Sequence, residues 1–184
     1  MWYLLRLPIL ALAGAALYAL LCLPGWKRAR MRPFVRHAVL WTAVCCGLSL
    51  LYLTILWYWP DITFHPGYHL LNLRPFVWVK ETYVMGARRM AKQLALNIGM
   101  FVPVGLLLPM AFPGLRRFWK TALTALCITL AIETLQYFIG RSADVDDVIM
   151  NAIGGMLGYG AYRLLERWFG GRALWRKATG KAAA

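Results

Sequence analysis

Acidic side chains are scarce in this sequence of 184 residues: seven Asp and Glu stand against 21 Lys and Arg, a net charge of +14. Charge of either sign is thin, at 15% of residues, where soluble globular domains carry about 25%. That shortage argues against an ordinary water-soluble fold. Disorder is excluded from the other side, because 61% of the chain is hydrophobic and disordered segments are poor in such residues. Cysteine is limited to Cys22, Cys45, Cys46 and Cys127. All four fall in apolar runs and none has CxxC spacing, which argues against a disulfide framework or a zinc site and for small buried packing residues. A GxSxG elbow, an HExxH pair and a phosphate-cradling glycine loop are absent. His65 and His69 are four apart, but Pro66 and Gly67 interrupt any helix that would align them on a metal. There is no internal repeat and no low-complexity tract.

What is abundant is long apolar runs. A membrane-crossing helix takes roughly 20 apolar residues, so the chain holds about five spans and no separate soluble domain. The expected fold class is therefore all-α, a polytopic membrane bundle forming a single domain over 1–184. The nine Trp and nine Tyr suit interfacial belts. The basic residues flank the apolar runs, the distribution expected of a membrane protein, and do not point to nucleic acid.

The five expected spans cover about 2–23, 34–59, 93–112, 121–139 and 147–169. The first resembles a signal peptide, but its charges (Lys27, Arg28, Arg30, Arg32, Arg36) follow the apolar run instead of preceding it, so a retained span is expected. The second ends in the aromatic anchor Trp57-Tyr58-Trp59 and stops at Pro60 and Asp61. The connection 62–91 is too polar and proline-broken to span and too apolar for a solvated loop; an interfacial or re-entrant segment is expected there. Pro103 predicts a kink in the third span. Lys and Arg number fourteen on the face holding the first basic loop, the third loop and the tail, against seven on the other. The bias predicts a cytoplasmic (inner) membrane protein with its N-terminus outside and its C-terminus in the cytoplasm, although Arg88, Arg89 and Lys92 fall on the outer side.

Four of the seven acids occupy one window: Glu133, Asp144, Asp146 and Asp147. Glu133 lies inside an apolar helix, where an acid costs about 2.5–3.5 kcal/mol and normally faces the bundle interior with a partner. Gln136 and Gly140 share its face. Asp144, Asp147 and Asn151 project together if the fifth helix begins near Asp144, and Gly154 and Gly158, with Gly155 beside them, continue that stripe in small-xxx-small spacing. Asn97, Phe101 and Gly105 line the third span at steps of four. Three spans thus converge on Asn97, Glu133, Gln136, Asp147 and Asn151, with Arg141 as the nearby cation. Each residue also has a plainer role open to it. Any of the three aspartates can cap the fifth helix, the two asparagines can be interhelical glue, and Glu133 can be one half of a structural ion pair. Asp144-Val145-Asp146-Asp147 is similar to acid-rich Mg²⁺ motifs, but its spacing is too short and too common to assign a metal.

The blocks Asn72-Leu73-Arg74-Pro75-Phe76, Asn97-Ile98-Gly99-Met100-Phe101-Val102-Pro103-Val104-Gly105, Glu133-Thr134-Leu135-Gln136, and Arg141 to Asn151 followed by Gly154, Gly155 and Gly158, in this order and spacing, resemble the VanZ-like family of bacterial membrane proteins over about 72–160. The founding member of that family is associated with low-level resistance to teicoplanin, an acylated glycopeptide antibiotic. The resemblance implies that Glu133, Gln136, Arg141, Asp144, Asp147 and Asn151 are its recurrent polar positions; it carries no catalytic assignment and leaves any cofactor unknown.

Three functions follow as expectations. The first is a binding or protective role at the outer face, where Asn97, Glu133, Gln136, Asp147 and Asn151, with Arg74 and Arg141 at the mouth, hold an amphiphilic or lipid-linked ligand amid membrane lipids. The second is an intramembrane enzyme acting on a lipid-linked envelope precursor, with Glu133 as general base and Asp144 or Asp147 as second acid or metal ligand. The third is an assembly subunit whose polar cluster only locks helices together.

Overall fold

A computed structural model describes residues 2–25, 32–56 and 71–181. Helix α1 (Trp2–Cys22) and a short 3-10 turn precede α2 (Phe34–Thr54). A two-residue strand β1 (Leu71–Asn72) and a nine-residue helix α3 (Val77–Met85) lead into α4 (Ala87–Ala111). Then come α5 (Phe118–Phe138), strand β2 (Ala143–Asp144), α6 (Val145–Phe169) and a last short helix α7 (Ala173–Thr179). Helices α2, α4 and α5 are long and apolar enough to cross a membrane. The chain is an all-α membrane protein.

The connection expected at 62–91 is structured in its described part. Gly86, at φ 85°, ends α3 and starts α4, six residues before the expected start at 93. The aromatic anchor Trp57-Tyr58-Trp59, Pro60 and Asp61, the histidines His65 and His69, and the basic residues Lys27, Arg28 and Arg30 lie outside the described residues. Of the cysteines, Cys22 is buried, Cys45 and Cys46 are half-buried and Cys127 is exposed. Burial of all four was expected; Cys127 departs because it lies on a side of α5 left exposed among the described residues.

The most extensive pairing joins α4 to α6. The two run parallel, since Asn97 meets Asp147 near one end and Gly105 meets Gly155 and Gly158 further along. In lipid no hydrophobic force drives helices together, so close van der Waals approach and hydrogen bonds must do it. Glycine permits that approach here. A Cβ on Gly105 would overlap the carbonyl of Gly155, one on Gly154 the carbonyl of Ile98, and one on Gly158 the carbonyl of Val102. Phe101 and Ala125, both fully buried, fill the centre between α4, α5 and α6.

The opposite end of the bundle is held by arginine. Arg36 of α2 is buried. It donates to the carbonyls of Met110 (2.6 Å), Ala111 (2.5 Å) and Ala178 (3.0 Å), final carbonyls of α4 and α7 that have no helical partner. Arg116 reaches the carbonyl of Thr179 at 2.5 Å. Lys181 pairs with Glu166, which also accepts the Trp175 indole N–H at 2.6 Å. The tail expected to be only a basic segment is thus a helix docked on the bundle, and Arg36, expected in a basic loop, is an interior cap.

Replacing Gly105 or Gly158 by Leu should lower stability by at least about 1–3 kcal/mol through overpacking, read as a lower unfolding temperature in detergent. Gly160→Ala, where a Cβ meets nothing within 4 Å among the described residues, should instead raise stability by up to about 1 kcal/mol, the usual advantage of alanine over glycine inside a helix. Arg36→Met keeps bulk but orphans three carbonyls at about 1–3 kcal/mol each. Limited trypsin digestion should then cut at Arg176 and Lys177 faster than in the parent protein.

Candidate functional site

The site is assembled at the start of α6. Asp144 is the N-cap of that helix: its Oδ1 accepts the backbone N–H of Asp146 at 2.8 Å, and Asp146 and Asp147 occupy the first turn, where the helix dipole favours negative charge. Of the three aspartates open to the capping role, Asp144 fills it. Because Asp144 is the cap, the helical stripe begins at Asp147 and Asn151 alone.

Strands β1 and β2 pair in parallel, Leu71 with Ala143 and Asn72 with Asp144. This short ladder fastens the connection to the helix start. The Asn72 amide donates to both carboxylate oxygens of Asp144 at 3.1 and 3.2 Å. Asp146 is buried and turned toward the connection, where it accepts the backbone N–H of Phe76 (2.6 Å) and of Trp78 (3.3 Å). It thereby caps α3 from a distant part of the chain. Phe76 has φ 65°, a left-handed conformation uncommon for a bulky side chain, and the Asp146 bond holds it there. Sequence spacing carried no signal for this role, since the donors lie about seventy positions away.

Glu133, 6% exposed, accepts the backbone N–H of Asp144 at 3.0 Å through Oε2. Asp147 accepts the Asn97 amide at 2.5 Å through Oδ1. Asn151 donates to the Thr129 hydroxyl at 2.9 Å. Gln136 and Arg141 both donate to the carbonyl of Thr54 at the end of α2, at 3.1 and 2.8 Å. Asn97, Glu133, Gln136, Arg141, Asp147 and Asn151 line one cavity of about 480 Å³. The exposed Arg89 and Lys92 of α4 stand on its wall.

Two residues expected at this site lie elsewhere. Arg74 is exposed, does not line the cavity, and its backbone N–H donates to Asn72 Oδ1 at 3.1 Å. Asp144 lines a second cavity of about 330 Å³ on the β1 side, and Glu133 forms part of both walls. Arg89, Lys92 and Thr54 are the additions that sequence reasoning did not make. Arg89 and Lys92 precede the expected third span, and Thr54 contributes only a backbone oxygen.

The chemistry of the large cavity is one-sided. The bonds above leave Oε1 of Glu133 and Oδ2 of Asp147 outside the hydrogen bonds of the described residues. Oδ1 of Asn151, a residue 3% exposed, is buried without a partner among them. The inner wall offers acceptors, and the cations stand nearer the mouth. Among the described residues no three His, Cys, Asp or Glu side chains are grouped to hold a metal ion.

Removing the Asp146 carboxylate by Asp146→Ala should cost about 0.5–2 kcal/mol, the usual loss for an N-cap. Hydrogen exchange should rise at the amides of Phe76 and Trp78 while those in the middle of α6 stay protected.

A model of the VanZ/LLP1 family matches residues 34–166. Among curated proteins, Protein VanZ of Enterococcus faecium is 31% identical over 133 residues, which span 66% of this chain and 74% of that relative. No solved structure matches.

Proposed function

This chain belongs to the VanZ/LLP1 family, and we propose that it binds an amphiphile at the outer face of the bacterial cytoplasmic membrane, with the polar head of that amphiphile in the cavity of Glu133 and Asp147. The reading includes five spans, with α1 and α6 added to the three helices that are long and apolar enough to cross a membrane, the N-terminus outside and the C-terminus inside. The end of the bundle that holds Arg36, Arg116 and Arg117 then faces the cytoplasm, in keeping with the positive-inside bias.

The observation that carries the reading is that Glu133, Asp147 and Asn151, whose Oδ1 is buried without a partner among the described residues, line one cavity. A buried acceptor without a donor costs about 1–3 kcal/mol, and a ligand with hydroxyl or ammonium groups relieves that cost. Arg89 and Lys92 near the mouth suit an anionic group on the same ligand. Lipoglycopeptides of the teicoplanin type have this composition, and sequestering them at the membrane surface protects the cell.

A susceptibility panel tests it. A sensitive host carries empty vector, the parent protein, Glu133→Gln or Asp147→Asn at matched membrane levels, and acylated glycopeptides are compared with non-acylated ones. Protection by the parent alone, confined to acylated drugs, is the expected result. Equal protection by both variants overturns the assignment to the acidic pair. No protection by any form detaches the chain from the resistance role.

A second reading rests on the same pair of carboxylates. Glu133 as general base and Asp147 as second acid would act on a lipid-linked envelope precursor. Purified protein that releases the head group, with loss of turnover in Glu133→Gln at unchanged yield, would establish it. If Glu133→Ala only lowers folded yield, the cluster is structural.

A further inference from the structure

An apolar slot of about 380 Å³ lies between α2, α4 and α5, lined by Ala43, Gly47 and Leu51 of α2, Leu108 of α4, and Ile132 and Leu135 of α5. It is open to the lipid side: Gly47 and Ala131 are exposed and Leu51 is 40% exposed. Its upper end meets the polar cavity. Ile132 lines both, and Ile55, which borders the slot, follows Thr54, whose carbonyl carries the Gln136 and Arg141 bonds. From Ala43 to Ile55 the slot follows α2 for about 18 Å at 1.5 Å per residue. That is close to the depth of one leaflet in a hydrocarbon layer of roughly 30 Å.

Among the described residues Gly47 has no packing duty. A Cβ there meets nothing within 4 Å, unlike those at Gly105, Gly154 and Gly158. Its φ lies outside the positive region. Glycine within a helix costs about 1 kcal/mol against alanine, and at this position the cost secures no helix contact. What it secures is an uninterrupted floor, with Ala43, Gly47, Leu51 and Ile55 at steps of four on one face of α2.

We infer that this slot seats the acyl chain of the amphiphile whose head occupies the polar cavity, so that a single ligand runs from Glu133 down the α2 face to Gly47. The inference rests on the head-group reading above and adds the tail to it. The chain lies in hydrocarbon whether bound or free, so the slot contributes packing and chain selection without a hydrophobic driving force. The head, with donors for Glu133, Asp147 and Asn151, sets the depth. An acylated ligand is therefore preferred to its deacylated form, and a chain as long as one leaflet is preferred to a short one.

The test uses the full chain in liposomes and a dodecyl glucoside bearing a photoreactive diazirine near the end of its chain. Labelled residues are mapped by mass spectrometry. Labelling should concentrate at the slot, including Leu108 and Leu135, and be displaced by dodecyl glucoside far better than by octyl glucoside or glucose. Gly47→Leu fills the floor without touching the polar cavity and should reduce slot labelling about ten-fold, a difference of 1.4 kcal/mol. Ala131→Leu, on the α5 side of the slot, is the second filling variant should the first unfold early. Loss of labelling in Glu133→Gln but full labelling in both filling variants overturns the slot and leaves head binding intact. Labelling spread evenly over the lipid-facing helices and indifferent to Glu133→Gln overturns head and tail together.

Discussion

The contact between α4 and α6 is the constraint on which the rest depends. Lipid does not squeeze helices together, so two backbones stay close only where side chains are small enough for packing to hold them. Gly105 on one side and Gly154, Gly155 and Gly158 on the other meet that condition. Parallel, closely packed helices bring Asn97 of α4 to Asp147 in the first turn of α6. With α5 packed against both, Glu133 and Gln136 reach the same level as Asp147. A bulkier residue in the stripe would separate the polar side chains before it touched any of them.

Polar groups at one end and arginines at the other then fix the ends of the bundle. At the acidic end the three aspartates divide the work, with Asp144 capping its own helix, Asp146 capping α3, and Asp147 facing the cavity. Three adjacent like charges are tolerable because they are divided among different donors instead of sharing one. At the other end Arg36 gathers the last carbonyls of α4 and α7. The protein thus places cations on helix C-termini and carboxylates on helix N-termini, the arrangement the helix dipole favours. Glu133 departs from that rule. It sits within α5, contributes one oxygen to the Asp144 amide, and lines both polar-side cavities.

Most of this architecture was legible as pattern. Apolar run lengths, basic flanks and the glycine spacing at 154 and 158 are local properties, and a membrane makes them decisive because hydropathy and backbone satisfaction leave few alternatives to a helix. The convergence of Asn97, Glu133, Gln136, Asp147 and Asn151 was legible too, since each marks a polar interruption in an apolar helix and such residues turn inward. Arg74 was drawn to the same site because its connection shares the expected outer face, and Asp144 by its helical spacing with Asp147 and Asn151. The parallel pairing of Asn72 with Asp144 turns Asp144 toward β1, and Arg74 stays exposed outside the cavity.

The sequence by itself determined that this is a helical membrane protein with Glu133 turned into its interior, because composition and periodicity act within one helix at a time. Only the tertiary structure decided which aspartate caps, that Arg36 is an interior latch, and that an apolar slot opens below the polar cavity. Those features join residues roughly 70 to 140 positions apart, or consist of space between helices, and neither distance nor emptiness is encoded in local spacing.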